Sequence, residues 1–269
     1  MWIPTWDLAA LVLFLVIWIL YGPALKWASS TGGLINIDMI EIRTHWMRAM
    51  LGREQRMVDS QLVGHALNSA SFFASSTLIL IAASGGILFG GEAARRQLET
   101  APLVAAASEA LFQAKFALVG VTLARGLLAF IWAIRQLNYC AAAIGAAPKA
   151  GTRPDIAPAY AEAVGELLTR ALSAFNDGVR NYYFALAAAA WLLGPIPLAL
   201  ATLGATALLV WRQSVSPAAR AVHQLRVLLE IPEPARPPKP ARSERPKRSV
   251  LGWLDRGRSA SEGSGPEEL

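Results

Sequence analysis

The sequence predicts an all-α protein, a polytopic membrane helical bundle of about four spans with amphipathic connecting helices and a disordered C-terminal tail. Three observations predict it. Of 269 residues, 54% are hydrophobic and 16% charged, with a mean hydropathy of +0.39, whereas about a quarter of a soluble domain is charged. Several apolar runs approach the ~20 residues that cross ~30 Å of hydrocarbon. From Ile231 the composition turns to proline, arginine and lysine. We therefore divide the chain into a membrane-embedded helical domain, 1–230, and a basic, Pro-rich tail, 231–269.

The first span is 8–25. Trp2 and Trp6 precede it and Tyr21 and Trp27 close it, the aromatic placement expected at the two interfaces. No Lys or Arg stands before the run, which exceeds a signal-peptide core, so the span is read as retained. Thr31-Gly32-Gly33 breaks the helix, and the period then changes. Ile35, Met39, Ile42, Trp46, Ala49 and Met50 share one helical face, and Asp38, Glu41, Thr44, His45 and Arg48 the other. This is an amphipathic helix lying in the interface or packed on the bundle.

The second long helix is 61–89, membrane-embedded from about Leu67. Gln61, Gly64, Asn68, Ser71, Ser75 and Ala82 form a small, polar stripe, read first as a helix–helix seam and otherwise as a solute-lining face. After a polar turn, Pro102 restarts a helix whose 116–134 part is the third span. Arg125 stands near its middle, with Lys115, Thr122, Trp132, Gln136 and Tyr139 assigned to the same face. A charge at that depth costs about 2.5–3.5 kcal/mol on insertion scales and is expected to face protein or water. Two roles compete: a cation serving an anionic solute, or a pin donating to freed carbonyls or to Ser75, Thr202 and Thr206.

A punctuated loop (145–158) leads to an amphipathic helix over 160–175. Its Glu162 and Glu166 read as a solvated face, with Glu166–Arg170 as an i,i+4 pair. The fourth apolar stretch follows: NDGVRNYYFALAAAAWLLGPIPLALATLGATALLVW (176–211). Gly194, Pro195 and Pro197 interrupt it, and prolines within lipid need neighbouring helices to cover the freed carbonyls. The length of 183–211 suits one kinked, tilted span; a hairpin entering and leaving on one face is the alternative. A short helix over 217–230, with Ala218, Val222, Leu225 and Leu229 on one face, precedes the tail. There PEPARPPKPARSERPKRS offers little to bury, and VLGWL (250–254) is a small interfacial patch.

Basic residues favour the cytoplasm. The connections 26–66 and 135–180 hold five each, and 212–258 holds eleven. With four crossings they cannot all lie on one side.

The segment NDGVRNYYFA entering a span, WLLGP (191–195), RQLNY (135–139) closing the third span, and IDMIEIRTHWMRAM after the first together resemble an uncharacterised family of bacterial and plant integral-membrane proteins, catalogued as domain of unknown function five-nine-nine. The resemblance covers roughly 8–211 and implies a four-segment helical membrane fold. It implies no activity, since the family brings no catalytic residues.

Candidate functional residues are those at membrane depth or its mouth: Arg125, Arg135, Gln136, Asn138, Asn176, Asp177, Arg180, Tyr182, Gly194 and Pro195. Cys140 is the sole cysteine, which excludes an internal disulfide and a cysteine-cluster metal site. No zinc-ligand spacing, nucleophile elbow or Walker-type loop is present, so no cofactor is expected and a lipid-directed enzyme is the least supported class. The net charge of +6 points to anionic headgroups meeting the tail rather than to nucleic acid; a homo-oligomer is compatible with the pattern. The expectation is a multi-pass protein, as in a bacterial inner membrane, acting as a non-enzymatic scaffold or partner- and lipid-binding protein. A small-solute or ion transporter using Arg125 and the Pro-broken span is the alternative.

Overall fold

The computed structural model describes residues 4–29, 35–91, 96 and 107–229. Among them the elements are helical, with no strand: α1 (Thr5–Ser29), α2 (Ile35–Leu51), α3 (Met57–Phe89), α4 (Glu109–Ala146), α5 (Ala157–Ala189), a 3₁₀ turn (Ala190–Leu193), α6 (Pro195–Ser214) and α7 (Pro217–Leu228). The break at 31–33, the Pro102 restart and the tail with its expected disorder lie outside the described residues. Four helical stretches are long and apolar enough to cross a bilayer, beginning at Thr5, Met57, Glu109 and Pro195. The chain is a polytopic membrane protein.

The spine is the α4–α5 pair, 38 and 33 residues long, roughly 57 and 50 Å at 1.5 Å per residue. Both overrun a ~30 Å hydrocarbon layer. They run antiparallel: the Tyr160 hydroxyl donates to the Ala143 carbonyl at 2.7 Å near their loop, and Gly126 faces Asn181 and Gly178 further along. α3 lies along α4, with Arg56 donating to the carbonyls of Ala147 and Pro148 and Phe73 stacked on Phe130 at 5.5 Å.

Two cores result. One gathers Phe14 of α1, Leu123 of α4, Phe184 of α5, Trp191 of the 3₁₀ turn and Leu198 of α6. The other gathers Met47 and Met50 of α2, Val63 of α3, Leu137 and Cys140 of α4, and Val164 and Leu168 of α5. The ring of Phe130 lies between them, within 6 Å of Phe73 and Phe175. A Cβ on Gly178 would stand 2.5–2.7 Å from three carbons of Phe130, so only glycine lets this ring sit against α5.

The fourth apolar stretch is not a kinked span. The 3₁₀ turn ends at Gly194, whose φ of +126° suits glycine, and Pro195 starts α6 at a position where a missing N–H costs nothing. The chain reverses there. The Arg212 guanidinium of α6 donates to the Tyr183 hydroxyl of α5 at 2.7 Å. One continuous helix over that interval would hold those residues roughly 43 Å apart. The sequence reading favoured a single span because each half looked too short to cross; in fact α6 alone has 20 residues, and the other limb is the end of the long α5.

Three faces differ from their sequence reading. α2 buries Asp38, Arg43, Met47, Met50 and Leu51, while Ala49 is exposed; packing against both α5 and α7 carries its buried stripe through charged positions. On α7 the expected apolar face stays outward, with Leu225 52% exposed, and Arg226 is buried instead, donating to Asp38 at 2.7 Å. On α3 the small, polar stripe is largely open, with Gln61, Asn68, Ser75 and Ala82 exposed; the packed side is Asp59, Val63, Ala70 and Thr77.

Candidate functional site: a guanidinium–aromatic cluster between α1, α4 and α5

Trp18 and Tyr21 stand one turn apart on α1, so both face α5. The Trp18 indole N–H donates to the Asn181 side-chain carbonyl at 2.8 Å, and the Asn181 amide donates back to the Asp177 main-chain carbonyl at 2.7 Å. Asn181 is buried; both bonds satisfy it where water is scarce. Gly126 on α4 permits the approach, since a Cβ there would lie 3.3 Å from Cβ of Asn181.

Two cations cover these rings. The Arg125 guanidinium carbon lies 5.3 Å from the Trp18 ring centroid, and that of Arg180 lies 5.3 Å from Tyr21, both within cation–π range. Their surroundings differ. Arg180 is largely buried and forms an ion pair with Asp177 one turn earlier. Arg125 is exposed, on the stripe of α4 that also exposes Val121, Leu128, Trp132, Arg135 and Tyr139. The face assigned to it from sequence therefore divides, because Lys115, Thr122 and Gln136 belong to the buried side.

The other candidates scatter. Gln136 donates weakly to the Trp132 carbonyl at 3.4 Å, while Arg135 and Asn138 are exposed on α4, and Asn176 on α5. Tyr182 meets Phe73 edge-on at 6.0 Å, whereas its neighbour Tyr183 turns to Arg212. Gly194 and Pro195 lie thirteen or more residues beyond Asn181, roughly 20 Å along the axis, so the break and Arg125 are not one site. Thr202 and Thr206 donate to carbonyls of their own helix.

The turn belongs to a separate cluster. The Trp191 indole N–H donates to Asp7 at 2.8 Å, with Lys115, 2% exposed, also buried in this end of the bundle. Sequence reasoning missed Trp18 and Tyr21 as site residues. Their i,i+3 spacing was the available signal, but aromatics late in a span read as interfacial anchors. Among the described residues no three or more His, Cys, Asp or Glu are grouped to hold a metal. An open groove of about 480 Å³, lined by Arg48, Lys149, Arg153 and Pro158 among others, lies at the α4–α5 loop, where Arg48 pairs with Glu162 and Arg153 with Asp155.

A family model described as "Protein of unknown function, DUF599" matches residues 9–218. No curated protein and no solved structure matches the chain.

Proposed function

We propose that this chain, which belongs to the DUF599 family of unknown function, is a non-enzymatic membrane scaffold that holds a helical layer and a basic tail against an anionic inner leaflet. The observation that carries the reading is the reversal at Gly194. With α5 and α6 forming a hairpin, the loops and tail holding five, five and eleven basic residues all fall on one side, which resolves the conflict under the positive-inside rule. The amino terminus then faces outward.

The second core, built by α2, α7's neighbour, with the overrunning parts of α3, α4 and α5, lies on that same inner side. α7 fits the interface there, since Val215, Leu225, Val227 and Leu228 are exposed while Arg226 is fastened to Asp38. An exposed apolar edge on a short helix at this level is suited to the headgroup–acyl boundary. The transport alternative used Arg125 and the Pro-broken stretch; roughly 20 Å apart along the axis, they do not form one site, and Arg125 is not a pin on the carbonyls at the break.

Impermeant maleimide labelling tests the reading. Cys140 is buried, so Thr152→Cys, Ser243→Cys and Gln97→Cys act as reporters in membrane vesicles of known orientation. Thr152→Cys and Ser243→Cys should label from the inner side and Gln97→Cys from the outer. Opposite sides for the first two would remove the hairpin and this function with it. Reconstituted protein should add no anion flux to liposomes; flux abolished by Arg125→Gln would replace the scaffold with a transporter.

A further inference from the structure

We infer that the exposed face of α4 at Arg125, beside Trp18 of α1, is a binding site for one anionic phospholipid, the lipid phosphate meeting the guanidinium that lies over the Trp18 ring. Three observations carry it. Arg125 sits in an exposed stripe otherwise made of Val121, Leu128 and Trp132, which is the hydrocarbon-facing side of a span. Among the described residues it makes no hydrogen bond or ion pair; its contact is the face of Trp18. The carboxylate of this cluster, Asp177, is already paired with Arg180.

The cluster thus holds two guanidiniums and one carboxylate and keeps a single uncompensated positive charge. A bare guanidinium among acyl chains is unfavourable, and an intramembrane cation draws an anion or water toward itself. The phosphodiester of a lipid such as phosphatidylglycerol carries one negative charge and reaches this exposed face laterally. Its phosphate oxygens match the planar donor fork of arginine. The stripe continues through Trp132 to Arg135 and Tyr139, both exposed, so a path of cationic and amphipathic side chains runs from the inner interface toward Arg125. On the other flank the Asp177–Arg180 ion pair adds polar groups at the same level. Aromatic rings beside the guanidinium favour acyl and glycerol contact while leaving its edge free for oxygen. The site is separate from the tail, whose attraction to headgroups is diffuse and salt-screened.

Native mass spectrometry of the full chain in mild detergent, titrated with phosphatidylglycerol or phosphatidylcholine, tests the site. Wild type should retain one phosphatidylglycerol with at least tenfold preference over phosphatidylcholine. Arg125→Gln should reduce that occupancy at least fivefold, and Arg125→Lys, which keeps the charge and guards against a folding defect, should retain part of it. A chain whose basic residues after Ile231 are all Gln should keep the bound lipid, so failure of the tail reading and failure of this site are distinguishable. Equal retention by Arg125→Gln, equal occupancy by phosphatidylcholine, or displacement by millimolar inorganic phosphate would each overturn the proposal.

Discussion

Gly178→Ala is the sharpest probe of the α4–α5 contact. The added Cβ would stand 2.5, 2.6 and 2.7 Å from three carbons of the Phe130 ring, about 1 Å inside the ordinary 3.5–4.0 Å separation of carbon atoms. The ring has little room to yield, being fully buried with Phe73 stacked at 5.5 Å and Phe175 at 5.7 Å. Overpacking of this kind costs about 1–3 kcal/mol, and three simultaneous clashes put it near the top of that range. Alanine recovers up to about 1 kcal/mol of helix propensity. The net loss is then about 2 kcal/mol, a fall of about 4–8 °C in melting temperature for a domain of this size. Thermal denaturation in detergent, followed by fluorescence-detected gel filtration, measures it. Gly120→Ala is the control, since nothing lies within 4 Å of its Cβ position; it should be neutral or stabilising. Pairing Gly178→Ala with Phe130→Leu should cost less than the sum of the two changes, because they share one contact. A Gly178→Ala protein as stable as wild type, or strictly additive with Phe130→Leu, would refute the packing argument.

Trp191→Phe removes the donor to Asp7 in a buried pair and should cost about 1–3 kcal/mol, read as a lower melting temperature that Asp7→Asn in the same chain partly restores. Arg226→Ala leaves Asp38, 2% exposed, with His223 at 3.3 Å as its remaining partner; complete loss of a buried ion-pair partner costs about 3–5 kcal/mol, and the His223 contact offsets part of it. Because α7 is the last described helix, the expected sign is faster hydrogen exchange confined to 217–228 and the facing turn of α2. Burial lowers the Arg43 guanidinium to about 10. Its folded value lies below its unfolded one, so the charge opposes folding at all lower pH, and the opposition fades as pH rises through about 10. Arg43→Met should therefore raise the melting temperature at pH 7, and the gain should shrink above pH 10; no gain at pH 7 would refute it.

The spans were legible because hydrophobic length is a local property. The runs beginning near Leu8, Leu67 and Phe116 needed no tertiary knowledge, and the short motifs around Asn176 and Trp191 led to the family. The fourth stretch was harder, since a glycine followed by two prolines punctuates a kink and a reversal alike. What decides between them is non-local: Tyr183 meeting Arg212, and Trp191 meeting Asp7 near the start of the chain. The basic residues held a hint, because only a hairpin lets the three stretches share a side. The face of α2 was misread for a related reason. Periodicity finds an apolar stripe, but Asp38 is buried by Arg226 from another helix, and such compensation leaves no trace at neighbouring positions. Arg125 was found by depth alone, whereas Trp18, its contact, lies on a helix more than a hundred residues earlier.

The reversal at Gly194 also sets an order of events during synthesis. The end of α5 carries Asp177, Arg180 and Asn181, and no part of that helix ranks among the stretches apolar enough to cross by themselves. On the hairpin reading it should gain residence in the bilayer only once α6 has left the ribosome and can enter beside it. Translation halted near residue 190 would leave that limb in water, to be drawn in as one of a pair when elongation resumes.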